Sequence, residues 1–367
     1  MAKIEFNKPY IAPMTADYIG QALRSGSIVG NGPFTKKCHS FFQERYGFSK
    51  VLLTSSCTDA LEMSALLCDI RPGDEVIMPT YTFVSTANAF ALRGAVIRFA
   101  DSERETPSIS ADEIEALITP KTKAVVVVHY GGVACDLDRI CDIVRQHKLF
   151  LIEDAAHAID SYWNGKPLGS FGDLATFSFH ETKNIGCGEG GMLVINNAKM
   201  HETAEIVWEK GTNRSQFYRG QVNKYNWQTL GSSFLPSDLT AACLYAQLQE
   251  LDSIQTQRKE IWHRYQNALA SFPVRYGASA NGHLYYIESS RENVLEDFAA
   301  AGIQALSHYI TLHDSPFYAD KHDGRELPNA TRYQKTLIRL PIYVGLTTAE
   351  QNEITEHVFL LQKNPST

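Results

Sequence analysis

Residues 174–196 read LATFSFHETKNIGCGEGGMLVIN. Leu174–His180 and Met192–Asn196 are apolar runs of strand length, and the glycine-rich connection between them leaves no room for a crossover helix. Lys183 lies in that connection, followed by Gly186, Gly188, Gly190 and Gly191. A lone lysine is ordinarily solvated surface. Held in a tight loop between two apolar strands, it stays near the core, where burial disfavours the ammonium form and lowers its pKa. A Schiff-base nucleophile requires that environment.

Upstream, strand and helix patterns alternate. Val51–Leu53, Glu75–Met78, Ala95–Phe99, Ala124–Val128 and Phe150–Ile152 read as buried strands. Helical spacing is found at Ala60–Leu67, Ser85–Leu92, Asp112–Ile118 and Leu137–His147. This alternation predicts an α/β fold with a mostly parallel sheet covered on both faces. The start of the chain, with Gly26, Gly30, Gly32 and Pro33, reads as loop-rich. Downstream, a long amphipathic helix is expected from Ser237 toward Phe272, with Leu244, Leu248, Leu251 and Ile254 on one face and Pro273 as its stop. A strand at His283–Glu288 and a helix at Val294–Ala301 complete a smaller α+β unit. The expected organisation is a large domain over residues 1–247 and a smaller one over residues 248–367.

Ligands of doubly wound sheets sit at the carboxyl ends of the strands. Three segments fall there. Thr54-Ser55-Ser56-Cys57-Thr58-Asp59-Ala60 joins a strand to a helix, and its small hydroxyls either cap that helix or offer a phosphate site. Leu151-Ile152-Glu153-Asp154 ends a strand on a carboxylate, which serves a protonated ring nitrogen, a metal or a hydroxyl, or caps the next helix. Lys183 is the third. Phosphate cradle, strand-end aspartate and loop lysine, in that order, match the needs of pyridoxal phosphate. Phe83 comes after another strand and is placed either to cover the ring or to pack in the core.

The whole chain has 367 residues and a formal net charge of -7, from 34 Lys plus Arg against 41 Asp plus Glu. That balance argues against a broadly basic nucleic-acid binder or an anionic membrane as partner. Seven cysteines without a C-x-x-C spacing fit neither a disulfide framework nor a cysteine zinc site. A reducing, cytoplasmic setting is expected, since no run reaches the ~20 apolar residues of a membrane span. Against this acidic background Lys210–Lys224 carries Lys210, Arg214, Arg219 and Lys224 and no acid. It reads as an anion-binding stretch or a solvated loop. His308, Tyr309 and His313 cluster in HYITLH, a spacing that does not make a strong metal pattern.

Pro79–Ala89 (PTYTFVSTANA), Glu153–Ala158 (EDAAHA), Ser178–Asn184 (SFHETKN), Gly188–Gly191 (GEGG) and Leu340–Thr347 (LPIYVGLT) together resemble the DegT/DnrJ/EryC1/StrS sugar aminotransferases. The resemblance implies fold type I of the pyridoxal phosphate enzymes, with a mostly parallel seven-stranded sheet and a smaller C-terminal domain. It makes Lys183 the Schiff-base lysine, Asp154 the partner of the ring nitrogen and His157 the neighbour of the phenolic oxygen. Cys57, Thr58 and Ser178 are implied to hold the phosphate, and Phe83 the ring face. Cys57 stands where the family commonly has Gly, and Ser233 where it has an Asn that reaches the neighbouring subunit's phosphate. Within the family, Lys210–Arg214 (KGTNR) and Arg219–Val222 (RGQV) resemble transaminases of dTDP-4-dehydro-6-deoxyhexoses. That likeness implies a dTDP-sugar acceptor, L-glutamate as donor, a homodimer with shared sites, and Lys210, Arg214, Arg219, His308, Tyr309 and His313 as substrate contacts.

Overall fold

The computed structural model describes residues 3–270 and 281–363. Two helices, α1 (Thr15–Ser25) and α2 (Pro33–Tyr46), occupy the start of the chain, which reads as loop-rich in sequence. The glycines and proline there are helix punctuation. Gly26 ends α1 in the left-handed conformation at φ 69°, and Gly32 precedes Pro33, the first residue of α2.

The α/β run continues as β1 (Val51–Thr54), α3 (Cys57–Leu67), β2 (Glu75–Pro79), α4 (Val84–Ala91), β3 (Val96–Ala100), α5 (Ala111–Leu117), β4 (Thr122–Val128), α6 (Leu137–His147) and β5 (Phe150–Asp154). A two-residue-per-strand hairpin, β6 (Tyr162–Trp163) and β7 (Lys166–Pro167), precedes β8 (Leu174–Ser178) and β9 (Gly191–Ile195). Seven strands form one sheet in the order β1-β9-β8-β5-β4-β2-β3. Pairings from β3 through β8 are parallel, whereas β9 is antiparallel to both β8 and β1. The direct connection from β8 to β9 dictates that reversal, because a parallel pair needs a crossover.

The central strands are buried on both faces, so Val125, Val126 and Val127 of β4 all lie in core, as a two-sided sheet requires. Helices α7 (His201–Trp208) and α8 (Arg214–Tyr218) come next. The predicted long helix is two: α9 (Asp238–Gln249) and α10 (Leu251–Ala268), interrupted at Glu250, whose backbone (φ -102°, ψ 3°) leaves the helical ladder. Phe272 and Pro273 lie outside the described residues. The stripe Leu244, Leu248, Leu251 and Ile254 is buried across both helices. The chain continues with β10 (Tyr285–Glu288), α11 (Val294–Ala300), α12 (Pro328–Thr336), β11 (Leu337–Leu340) and α13 (Thr348–Lys363), with β10 and β11 antiparallel. None of the described helices is long and apolar enough to cross a membrane.

Candidate active site

A cavity of about 450 Å3 opens at the carboxyl ends of β2, β4, β5 and β8, where Thr82, Val128, Asp154 and Ser178 line it. Strand β5 ends in two carboxylates that alternate between faces. Asp154 faces the cavity. Its Oδ2 accepts from Thr86 Oγ1 at 2.8 Å and its Oδ1 from the Ala156 N–H at 3.2 Å. Burial pushes its pKa up, with those donors opposing the shift. Among the described residues no cation comes within ion-pair distance of it.

Lys183 enters the same cavity from the β8–β9 connection. That loop is closed by Phe179 N–H on the Gly190 carbonyl (2.8 Å) and Glu181 N–H on the Gly188 carbonyl (3.0 Å). Gly188 takes φ 84°, a left-handed turn that glycine adopts without strain. Asn184, next to the lysine, is buried and anchors the loop from behind. Its Nδ2 donates to Gln255 Oε1 (2.7 Å) and the Asn281 carbonyl (3.1 Å), while its Oδ1 accepts from His283 Nδ1 (2.8 Å). Lys183 is half-buried, and its remaining surface belongs to the cavity wall. Enclosure by protein lowers its pKa to about 8, and the Arg339 guanidinium adds to that shift.

At one end stands the N-terminus of α3. Ser56 caps it, accepting the Asp59 N–H at 3.1 Å, so the capping role of this segment is realised. Its first turn still presents N–H groups unused by the helix. Cys57, Ser85 and Ser178 line the cavity there, and Thr58 Oγ1 meets Ser85 Oγ at 2.8 Å from behind. Burial, with Asp154 nearby, pushes the Cys57 thiol pKa up, so it stays protonated. Gly191 lets β9 pass close beneath: a Cβ on it would collide with the Ser56 carbonyl and the Cys57 nitrogen.

The opposite wall is aromatic and imidazole-rich. His157 Nδ1 accepts the Gly131 N–H at 3.2 Å, which leaves the proton on Nε2, 3.4 Å from the Tyr309 hydroxyl. Burial holds this imidazole well below its ordinary pKa, and the His283 ring stacks on it at 4.3 Å. Tyr130 and Tyr81 both donate to the His308 carbonyl, the former at 3.2 Å. Burial lowers the His308 pKa to about 4, with Arg339 beside it contributing. Phe83 lines the mouth, half-exposed, its ring 6.1 Å from that of Tyr309.

The fold therefore brings together Cys57, Phe83, Asp154, His157, Ser178, Lys183, His308 and Tyr309. His313 faces elsewhere: its Nδ1 meets Thr80 Oγ1 at 2.7 Å, and it lines a separate cavity of about 670 Å3 with His322 and Arg325. Ser233 is exposed and pairs through its backbone with Glu209. The acid-free stretch meets its acids in space. Arg219 pairs with Glu205 (2.7 Å), and Arg214 lies 3.8 Å from Glu209 and over the Tyr218 ring. Lys210 is exposed and has φ 64°. Trp227, just beyond that stretch, is 74% exposed. Sequence reasoning passes over Asn184, His283 and Arg339. A visible signal exists for the last, since LIRL sets one arginine inside an apolar strand.

A doubly wound sheet with a lysine in this loop and a carboxylate at this strand end is the framework of the fold type I pyridoxal phosphate enzymes. Residues 9–359 match the model of the DegT/DnrJ/EryC1/StrS aminotransferase family, and the chain belongs to it. It is a sugar aminotransferase and its cofactor is pyridoxal 5'-phosphate. The spore coat polysaccharide biosynthesis protein SpsC of Bacillus subtilis is 32% identical over 97% of this chain and 96% of its own. Spr1654 of Streptococcus pneumoniae, assigned as a sugar aminotransferase, superposes in its PMP form with a TM-score of 0.91, at 26% identity over 99% of this chain and all of its own. Its PLP form gives 0.90. The aminotransferase TlmJ of Streptoalloteichus hindustanus gives a TM-score of 0.90 at 28% identity, with both chains covered in full.

The residues present fit the cofactor. A buried carboxylate with no cation within ion-pair distance among the described residues suits a protonated pyridine nitrogen. The α3 terminus with its serine hydroxyls suits a phosphate, and Gly191 keeps side-chain bulk out of that end.

Proposed function

We propose that the enzyme moves the amino group of L-glutamate to C4 of a dTDP-4-dehydro-6-deoxyhexose, giving a dTDP-4-amino-4,6-dideoxyhexose in the cytoplasm. The observation that carries amino transfer is Lys183, an amine with pKa lowered to about 8 in one cavity with Asp154. The bound cofactor supplies an electron sink that acidifies the proton on the carbon bearing the amino group.

Each residue then has a task. Asp154 holds the proton on the ring nitrogen, and Thr86 fixes the carboxylate that does so. Cys57 and Thr58, at the start of α3, hold the phosphate with Ser178. His157, with its proton on Nε2, would donate to the cofactor's phenolic oxygen, and Phe83 would cover the ring. Lys183 Nζ would take the proton from the donor carbon, hold it, and give it up again when the amino group passes on. At neutral pH an amine of pKa about 8 is deprotonated far more often than an ordinary lysine, which makes it a competent base. His308 and Tyr309 line the route by which substrate reaches that amine.

The sugar reading draws on the cations of Lys210–Lys224, because a nucleotide diphosphate needs positive contacts; Arg214 and Arg219 would have to exchange Glu209 and Glu205 for phosphate oxygens. Lys210, Arg214, Arg219 and Ser233 lie outside the lining of their own chain's cavity, and their role in the proposal is at the site of a second subunit. The proposal includes a homodimer with shared sites, each subunit having a large domain over residues 1–247 and a smaller one over residues 248–367. The relationship to SpsC supports a sugar-building role.

Incubation with dTDP-4-dehydro-6-deoxyglucose and L-glutamate, followed by product NMR, tests the reading. Nitrogen at C4 is expected. Nitrogen at C3, or loss of oxygen without amination, overturns the regiochemistry or the reaction type. Lys183→Ala is expected to abolish the product, and near-normal turnover by that variant sinks the role of Lys183.

A further inference from the structure

Behind the lysine lies a buried polar knot that the chemistry above leaves unused. His283, just before β10, is 3% exposed and lines the cofactor cavity together with Lys183 and His157. Its neighbours decide its tautomer. Asn184 spends its Nδ2 hydrogens on Gln255 Oε1 and the Asn281 carbonyl, so the atom it turns to His283 is the acceptor Oδ1. His283 Nδ1, 2.8 Å away, therefore carries the proton. Its Nε2 is left as a bare lone pair, buried and without a hydrogen-bond partner among the described residues. The ring stays neutral, because burial, with His157, Lys183, Arg339 and Arg258 around it, holds its pKa well below the ordinary value.

Packing alone does not account for an imidazole at this place. A phenylalanine would fill the space without stranding a lone pair, and a buried acceptor left bare destabilises a fold. What the imidazole adds is two contacts at once. Its Nδ1 proton holds Asn184, the residue next to Lys183. Its face stacks on the His157 ring, with centroids 4.3 Å apart and planes at 28°. The same segment reaches His157 a second time. Asn281 Nδ2 donates to the His157 and Ile159 carbonyls at 2.8 and 2.7 Å, and its Oδ1 accepts the His283 N–H at 3.0 Å. Lys183 comes from the β8–β9 connection and His157 from the residues after β5, and His283 joins the two. We propose that His283 is a positioning residue of the amino transfer: one side chain fixes the lysine loop through Asn184 and the His157 ring by stacking, and so sets where the amine stands relative to the imidazole. The inference rests on the amino-transfer reading above.

Two variants separate the two contacts. His283→Phe keeps a ring on His157 and removes the proton that holds Asn184; His283→Asn keeps an N–H for Asn184 and removes the ring. In the cofactor-free protein, the pH midpoint of Lys183 reductive methylation should move from about 8 toward 10.5 by about one unit in His283→Phe, and His283→Asn should return most of that shift. The groups facing the amine, Arg339, Cys57 and Asp154 with the neutral rings of His157 and His308, are the same in every variant. One neutral ring replaces another, so a moved midpoint reports a moved lysine. In the holoenzyme, His283→Phe is expected to lower kcat with L-glutamate by about 30-fold while KM changes by less than about threefold. An unmoved midpoint overturns the assignment, and so does a loss carried by KM, which would make the ring a substrate contact. Should His283→Phe fail to fold, Asn184→Ala gives the same reading from the other partner. It should move the midpoint alike, and adding His283→Asn to it should move the midpoint no further; additive shifts overturn the assignment. A wild-type enzyme that takes no amino group from L-glutamate sinks the functional reading, whereas a methylation midpoint that stays at about 8 in His283→Phe and in Asn184→Ala sinks the positioning alone.

Discussion

Glu153 and Asp154 are consecutive on β5, chemically alike and both buried, yet they face opposite sides of the sheet. Glu153 Oε1 accepts the Phe171 and Gly172 N–H groups at 2.7 Å each, and its Oε2 accepts the Gly169 N–H at 2.8 Å and meets His129 Nε2 at 2.9 Å. Burial alone would raise its pKa, but the His129 hydrogen bond and charge, joined by the Gly172 and Gly169 N–H groups, carry it below the ordinary carboxylate value. Asp154 has two neutral donors and, among the described residues, no cation within ion-pair distance, and its pKa is raised by burial. The sheet thus has a side whose carboxylate is finished and a side whose carboxylate waits for a ligand. Burial does not mark the functional residue; incomplete compensation does.

The largest effect is expected from breaking the finished side. Glu153→Gln strands His129 and weakens three backbone contacts, costing about 3–5 kcal/mol of stability, read as a fall in the denaturation midpoint. The sign with pH comes from the lowered pKa: the carboxylate's stabilisation is present above its unfolded value of 4.5 and is lost as pH falls through the folded value. The acid limb of the stability profile should therefore flatten in Glu153→Gln. An unchanged limb would remove Glu153 from the set of stabilising groups.

On the waiting side, Asp154→Asn should leave the cofactor-free fold as stable as wild type or more so, because a poorly compensated buried charge disappears. Activity should fall by about 100-fold, roughly 2.7 kcal/mol at the transition state. A large loss of Tm with little loss of kcat would reverse the comparison. The smallest effect concerns Lys183. In the cofactor-free protein its reductive methylation should rise with pH through about 8, and removal of the Arg339 charge should shift that midpoint modestly upward. A midpoint near the ordinary lysine value of 10.5 would show that the loop does not enclose the amine.

Much of the fold is readable in the sequence wherever local pattern and tertiary context agree. The helix Leu137–His147 has a strong apolar face and its predicted bounds match those observed. The β8–β9 connection is legible from its length alone. The helices before residue 47 escape reading because their glycines and proline act as caps, whose meaning depends on the residues flanking them. The break at Glu250 escapes because the apolar stripe continues across it. Lys183 and Asp154 stand in motifs at strand ends, where the sheet's geometry places ligands. Arg339 arrives from far along the chain, so its place on the cavity wall becomes visible only when β11 folds against the cavity. The acid-free run of Lys210–Lys224 carries the opposite lesson: α7 and the residue after it supply Glu205 and Glu209 from just outside that run.

Two glycines, one in the lysine loop and one at the start of β9, constrain descent in different ways. Gly188 has open space around its missing side chain and is fixed only by its positive φ, so asparagine, which tolerates that conformation, is an accessible neighbour in sequence space. Gly191 is fixed by the backbone of Ser56 and Cys57 pressed against it, and no rotamer relieves a clash at the β-carbon. Position 188 can therefore be recoloured by mutation while the point where the loop runs into β9 beside α3 admits one amino acid, so divergence around this lysine pivots on a position that cannot itself diverge.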